Sequence, residues 1–157
     1  MNSQGQTKRP IIILSVEDNP ADARLIAELF KATRAKIELH FVSDGETAMD
    51  FLHRRGSYAK AVRPDLILLD LNLPRKDGRE VLREIKESAD LCCIPTIIFS
   101  TSNAHEDIHR SYQLHANCFY TKPSDLDRFD LTIRSIEENW LSLVSLPDYP
   151  DRHRVYA

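Results

Sequence analysis

The sequence predicts an α/β domain: a doubly wound, five-stranded parallel sheet with helices on both faces. Three observations carry that reading. The runs Ile11-Ile12-Ile13-Leu14-Ser15-Val16 and Leu66-Ile67-Leu68-Leu69 are almost continuously apolar, as strands covered on both sides are. Five strand-like segments are each followed by a stretch with helical spacing. Such connections cross over right-handed and bring each strand back parallel to the last.

The first strand stops abruptly at Glu17-Asp18-Asn19. Pro20 can open a helix, because the first turn has no acceptor for the N–H that proline lacks, and Leu25, Ile26, Leu29 and Phe30 then recur over about three turns. Ile37 to Val42 alternates like a strand at a sheet edge, and Ser43-Asp44-Gly45-Glu46 starts a second helix carrying Ala48, Met49 and Leu52. The run Leu66 to Leu69 ends in Asp70, a loop occupies Leu71 to Gly78, and the next helix carries Val81, Leu82 and Ile85. Pro95 to Ser100 forms a fourth strand that ends in a hydroxyl. A helix from about His105 to Leu114, a strand at Cys118 to Thr121, and a helix with Phe129, Ile133, Ile136 and Trp140 on one stripe complete the pattern.

Composition narrows the function. The chain has 157 residues, the size of one domain, with 42% apolar and 29% charged residues. A net charge of -3 gives no basic surplus to attract a phosphate backbone, so no nucleic-acid partner is expected. The four glycines are too scattered for a dinucleotide fingerprint or a Walker A loop. Cys92, Cys93 and Cys118 form no CxxC, which points to packing residues in a reducing cytoplasm and away from a disulfide framework. The first nine residues are polar and run into a strand-length apolar stretch, so neither a signal sequence nor a membrane span is expected.

In open parallel sheets, ligands bind beyond the carboxyl ends of the strands. Those ends carry Glu17 and Asp18, Asp70, Ser100 and Lys122. Carboxylates brought within about 4 Å repel by roughly 4 kcal/mol per pair at an effective dielectric of 20. The cluster must therefore protonate, splay or hold a cation. The donors are all oxygens, which favours magnesium, with manganese and calcium as the other hard options, over zinc. Magnesium held by one or two carboxylates is commonly completed by phosphate oxygens. With a lysine ammonium and a hydroxyl nearby, Asp70 is placed to attack phosphorus and become an aspartyl phosphate.

The motifs Val16-Glu17-Asp18-Asn19, Leu66-Ile67-Leu68-Leu69-Asp70-Leu71-Asn72-Leu73-Pro74 with Asp77-Gly78, Ile97-Ile98-Phe99-Ser100 and Thr121-Lys122-Pro123 resemble the receiver domain of bacterial two-component response regulators. The resemblance spans residues 10–143. It implies a flavodoxin-like strand order, 2-1-3-4-5, and a layout of a flexible N-terminal arm (1–9), a receiver domain (10–146) and a C-terminal tail (147–157) with no output domain. It further implies that Asp70 is the phosphoacceptor, Asp18 a magnesium ligand, and Asn72 the donor of a backbone carbonyl to the metal. By the same resemblance, Glu17 is expected to act on the metal through water, Ser100 and Lys122 to hold the phosphoryl group, and Phe119 to be an aromatic coupled to the hydroxyl. The Lys122-Pro123 bond is expected to be cis, as is common in the family. Ser100 replaces the commoner threonine and Thr101 a small alanine, changes that bear on the lifetime of the phosphorylated form.

Thr101-Ser102-Asn103, Ser111 to Asn117 and Phe119 to Pro123 further resemble single-domain regulators that partner bacterial phytochromes. That match implies a sensor histidine kinase or a phosphotransfer protein as phosphoryl donor. It also implies a cytoplasmic switch that catalyses its own phosphorylation and dephosphorylation and is no conventional enzyme. Output would be protein contact, with a homodimer through the fourth helix, fifth strand and fifth helix, and with Tyr112, Trp140, Leu141, Leu143 and Val144 as surface candidates. A receiver-shaped module that is never phosphorylated, or a phosphohydrolase, is the rival reading. His105-Glu106-Asp107-Ile108-His109 also fits the zinc-hydrolase pattern HExxH, with His115 where an extended motif puts a third histidine. That motif needs a glycine where Tyr112 stands. A helix running on through His115 would turn it away from the other two.

Overall fold

The computed structural model describes residues 9–148. The expected arm and tail lie outside the described residues, apart from Arg9, Pro147 and Asp148. The chain alternates β1 (Ile11–Val16), α1 (Pro20–Lys31), β2 (Ile37–Val42), α2 (Gly45–His53), β3 (Leu66–Leu69), α3 (Gly78–Glu87), β4 (Thr96–Ser100), α4 (His105–Gln113), β5 (Cys118–Thr121) and α5 (Leu126–Ile136). All strand pairs are parallel, in the order β2-β1-β3-β4-β5.

Alternation along the central strands explains their continuous apolar runs. Leu14, Val16, Ile67, Leu69 and Ile98 face a core shared with Met49, Leu82 and Ile85, while Ile13, Leu66, Leu68, Ile97 and Phe99 face one shared with Ile26, Phe30, Phe129 and Ile133. Both faces are dry, so nearly every position is apolar, and the exceptions Ser15, Thr96 and Ser100 are small hydroxyl residues. The edge strands β2 and β5 are only partly covered and keep polar positions. Phe99 meets Phe129 edge to face at 5.3 Å, fixing α5 on the sheet.

Register decides which side chains meet. Val16 pairs with Leu69, Leu69 with Ile98, and Ser100 with Thr121. The next residues along β1, β3 and β5, namely Glu17, Asp70 and Lys122, therefore emerge at one edge of the sheet.

Several expectations need correction. The Lys122-Pro123 bond is trans, like every peptide bond among the described residues. The helical stripe through Trp140 is not one α-helix: α5 stops at Ile136 and the backbone widens into a π-helix over Glu137–Leu143. The Val144 N–H reaches back five residues to the Asn139 carbonyl at 2.9 Å, and Leu141 is thereby buried. Cys93 is exposed, whereas Cys92 and Cys118 are half-buried, so low exposure does not extend to all three. A short 3-10 turn at Gly56–Tyr58 follows α2 without a clear periodic signal in the sequence. No helix among the described residues is long and apolar enough to cross a membrane.

Candidate functional site

Each side chain of the cleft is delivered by a strand end that the sheet has already fixed. Glu17 extends β1 by one ladder bond, its N–H donating to the Val42 carbonyl at 3.0 Å, and is 4% exposed. Asp18 beside it is exposed. Asn19 then caps α1, accepting from the N–H groups of Ala21 at 2.9 Å and Asp22 at 3.2 Å, which satisfies orphan donors and sets the direction of the helix. Asp70 leaves β3 with its N–H on the Val16 carbonyl at 3.1 Å, and its carboxylate accepts from the Asn72 N–H at 3.2 Å.

The loop after Asp70 is folded tightly back. The Gly78 N–H donates to the Leu71 carbonyl at 2.9 Å, and a Cβ on Gly78 would lie 2.2 Å from the Asp70 carbonyl oxygen. Only glycine permits that approach of α3 to the loop. Gly45 does the same for α2, where a Cβ would meet the Lys76 carbonyl oxygen at 2.1 Å.

Lys122 closes the cleft. Its backbone N–H donates to the Ser100 carbonyl at 2.7 Å. Its ammonium donates to Glu17 Oε1 at 2.6 Å, Asp70 Oδ2 at 3.0 Å and Asp22 Oδ2 at 3.1 Å. Ser100 is buried, and its Oγ accepts from the Ser102 N–H at 3.3 Å. Ser102 in turn donates through Oγ to Asp107 Oδ2 at 2.5 Å, and Arg79 binds the other oxygen of that carboxylate at 2.5 Å. This chain fixes the loop between β4 and α4. Hydrogen bonds from Ser102 and Arg79 hold the Asp107 carboxyl below its ordinary range.

The electrostatics follow from burial. Desolvation, with a hydrogen bond to Asp70, pushes Glu17 up to about 9, against the opposing pull of Lys122. Burial draws the Lys122 ammonium down, but the bond to Glu17 and the charges of Asp70 and Glu17 outweigh it, so the lysine stays firmly charged. One cation thus faces two buried acids, and for Glu17 burial opposes ionisation while Lys122 favours it. Glu17, Asp18 and Asp70 each offer an oxygen within 4.8 Å of the others. With Glu17, Asp18 and Asp70 ionised, a hard dication together with the Lys122 ammonium would offset their charge. The oxygen-only donor set, with Glu17 and Asp70 buried and Asp18 exposed, fits such an ion.

A family model for the response regulator receiver domain matches residues 13–134. The chain is a response regulator receiver domain. It is 46% identical over 142 residues to the response regulator Rcp1 of Synechocystis sp., covering 90% of this chain and 97% of that protein. A solved structure of the Mn2+-bound form of Rcp1 superimposes with a TM-score of 0.86 at 47% identity, covering 88% of this chain and all of that one. The phosphorylated cyanobacterial phytochrome response regulator RcpA gives 0.87 at 49% identity, covering 89% of this chain and all of that one.

The receiver fold brings Glu17, Asp18, Asp70 and Lys122 to one cleft. Ser100 lies on the adjoining strand end with its hydroxyl turned to the Ser102 backbone, and Asn72 is exposed beside Asp70. Phe119 is partly buried against the α2–α4 side of the core. Sequence reasoning missed Asp22 as a third partner of Lys122. The available signal was an acid in the first turn of the helix that leaves the Glu17-Asp18 corner. It also gave no role to Gly45 and Gly78.

The HExxH histidines lie elsewhere. His105 and His109 are exposed on α4 and line a shallow hollow with Glu106, Ile108 and Tyr112. The expectation of a helix running through His115 is corrected: α4 stops at Gln113 and His115 adopts a left-handed φ of 69°. The Ala116 N–H reaches the Ser111 carbonyl at 3.0 Å and the His115 N–H the Tyr112 carbonyl at 2.9 Å, a Schellman cap. His115 ends a helix. Of the surface candidates, Tyr112, Leu143 and Val144 are exposed, whereas Leu141 is buried and Trp140 packs on the α1–α5 side of the core.

Proposed function

We propose that this receiver is a phosphorylation switch in which Asp70 accepts a phosphoryl group from a phosphohistidine of a sensor histidine kinase or phosphotransfer protein. One observation carries the reading: the Lys122 ammonium lies 3.0 Å from Asp70 Oδ2, inside a cleft where three carboxylates converge. An Asp70 carboxylate oxygen attacks phosphorus, the phosphorus–nitrogen bond of the donor breaks, and the imidazole nitrogen keeps the electron pair. Lys122 and Ser100 hold the equatorial oxygens of the transferred group. Glu17, Asp18, Asp70 and the Asn72 carbonyl are the residues that would hold Mg2+, which when bound neutralises phosphate charge. Water later attacks the same phosphorus, the bond to the Asp70 oxygen breaks, and inorganic phosphate leaves as the carboxylate is regenerated, so the chain resets itself.

Similarity to Rcp1 and RcpA supports a phytochrome-type, light-sensing kinase as donor and a cytoplasmic setting. To reach the phosphoryl group, the Ser100 hydroxyl must leave the Ser102 N–H, and that loop is tied through Asp107 to α4. The output surface is therefore α4, β5 and α5, where exposed Tyr112 on α4, with Leu143 and Val144 at the end of the π-helical extension of α5, suits contact with a second copy. Incubation with acetyl phosphate and Mg2+ tests the switch by intact mass. One phosphoryl group per chain, absent in Asp70→Asn, is expected. An unmodified wild-type chain would favour a constitutive binding module, and continued phosphate release from varied esters a phosphohydrolase.

A further inference from the structure

We infer that Asp22 is a positioning residue that holds the Lys122 ammonium in the unphosphorylated chain and must release it for the phosphoryl group to be gripped. The inference rests on the phosphoacceptor reading of Asp70. An ammonium has three N–H donors. Glu17, Asp70 and Asp22 take one each, at 2.6, 3.0 and 3.1 Å, so a phosphoryl oxygen gains a donor only if one of these bonds breaks.

The three partners are not equivalent. Glu17 and Asp70 belong to the group of oxygens able to hold a cation, and Asp22 does not. A cation held there has its own claim on the first two carboxylates, whereas Asp22 is bound to the lysine alone. The side chains of Glu17 and Asp70 are 2% and 9% exposed, whereas that of Asp22 is 26% exposed. Released, Asp22 can turn to water from the first turn of α1, while a released Glu17 would remain desolvated. The ion pair that opens is the one with the wet partner. Asp22 thus favours the unphosphorylated state, and its removal favours the phosphorylated one.

Beryllofluoride, a phosphoryl mimic, tests this at saturating Mg2+. Titration calorimetry should show Asp22→Asn binding it about three- to tenfold more tightly than wild type, the worth of one competing ion pair whose acid is partly solvated. Asp22→Glu should restore wild-type affinity, which a merely structural effect would not do. A crystal structure of the wild-type complex should show the Lys122 ammonium on the mimic and no longer on Asp22. Equal affinity in wild type and Asp22→Asn, or a Lys122–Asp22 bond kept in the complex, would overturn the inference. Failure of the wild type to bind beryllofluoride would instead overturn the phosphoacceptor reading on which it rests.

Discussion

The carboxylate–lysine cleft and the histidine face of α4 both present residues that chemistry uses, yet they are built differently. The cleft draws Glu17, Asp70 and Lys122 from the ends of three different strands, buries them, and leaves their charges to be settled against each other. The α4 face takes His105 and His109 from neighbouring turns of one helix and leaves both in water. Convergence from separate elements costs desolvation, and the cleft repays it with charge-assisted bonds. Side chains on one exposed helix face incur no such cost and are held by nothing. A close linear motif such as HExxH is therefore weaker evidence than four residues spread over more than a hundred positions that the register must unite.

Breaking the cleft should have the largest effects. Asp70→Asn is expected to abolish phosphorylation by acetyl phosphate while the chain stays folded, as read by intact mass and circular dichroism. Lys122→Ala leaves two buried acids without their cation and should cost about 3–5 kcal/mol in urea unfolding without divalent ions. A loss under about 1 kcal/mol would show the ion pairs to be energetically idle. Gly78→Ala forces α3 off the Asp70 backbone, with an expected loss of about 1–3 kcal/mol and slower phosphorylation.

Glu17 sharpens the comparison through pH. Its pKa is raised from 4.5 in the unfolded chain to about 9 in the fold, so between those values the folded state binds the extra proton. Stability is then fullest below about 4.5 and declines as pH rises towards about 9, as far as this group is concerned. Calorimetric melting in EDTA should fall across this window, and the slope should flatten in Glu17→Gln or with added Mg2+. A slope unchanged in Glu17→Gln would assign the effect to other groups.

The histidine face should respond least. His105→Ala and His109→Ala are expected to change stability by less than about 0.5 kcal/mol and to leave phosphorylation intact. His115→Gly should raise stability by roughly 0.5–1 kcal/mol, because a left-handed cap suits glycine. A loss on that substitution would mean that the imidazole makes contacts worth more than its backbone strain.

The fold was legible because the strands announce themselves twice, by apolar runs where both faces are dry and by the polar residue that ends each run. Ile11 to Val16 followed by Glu17, and Leu66 to Leu69 followed by Asp70, carry both signals. The strand order came from the family resemblance, since no residue pattern states which strand neighbours which. The Lys122–Asp22 bond was illegible because it depends on the tilt of α1 against β5 across a hundred residues. The π-helical end of α5 was hidden for another reason: Phe129, Ile133, Ile136 and Trp140 have a spacing that a plain helix also satisfies. His115 misled because a non-glycine residue closes α4.

Locating the covalent modification compares the two regions most directly. After phosphotransfer from a phosphohistidine donor in Mg2+, borohydride trapping and peptide mapping should place the modification on Asp70 alone, with His105 and His109 unmodified. A phosphoryl group found on the α4 histidines, or none on Asp70 from any competent donor, would contradict the account.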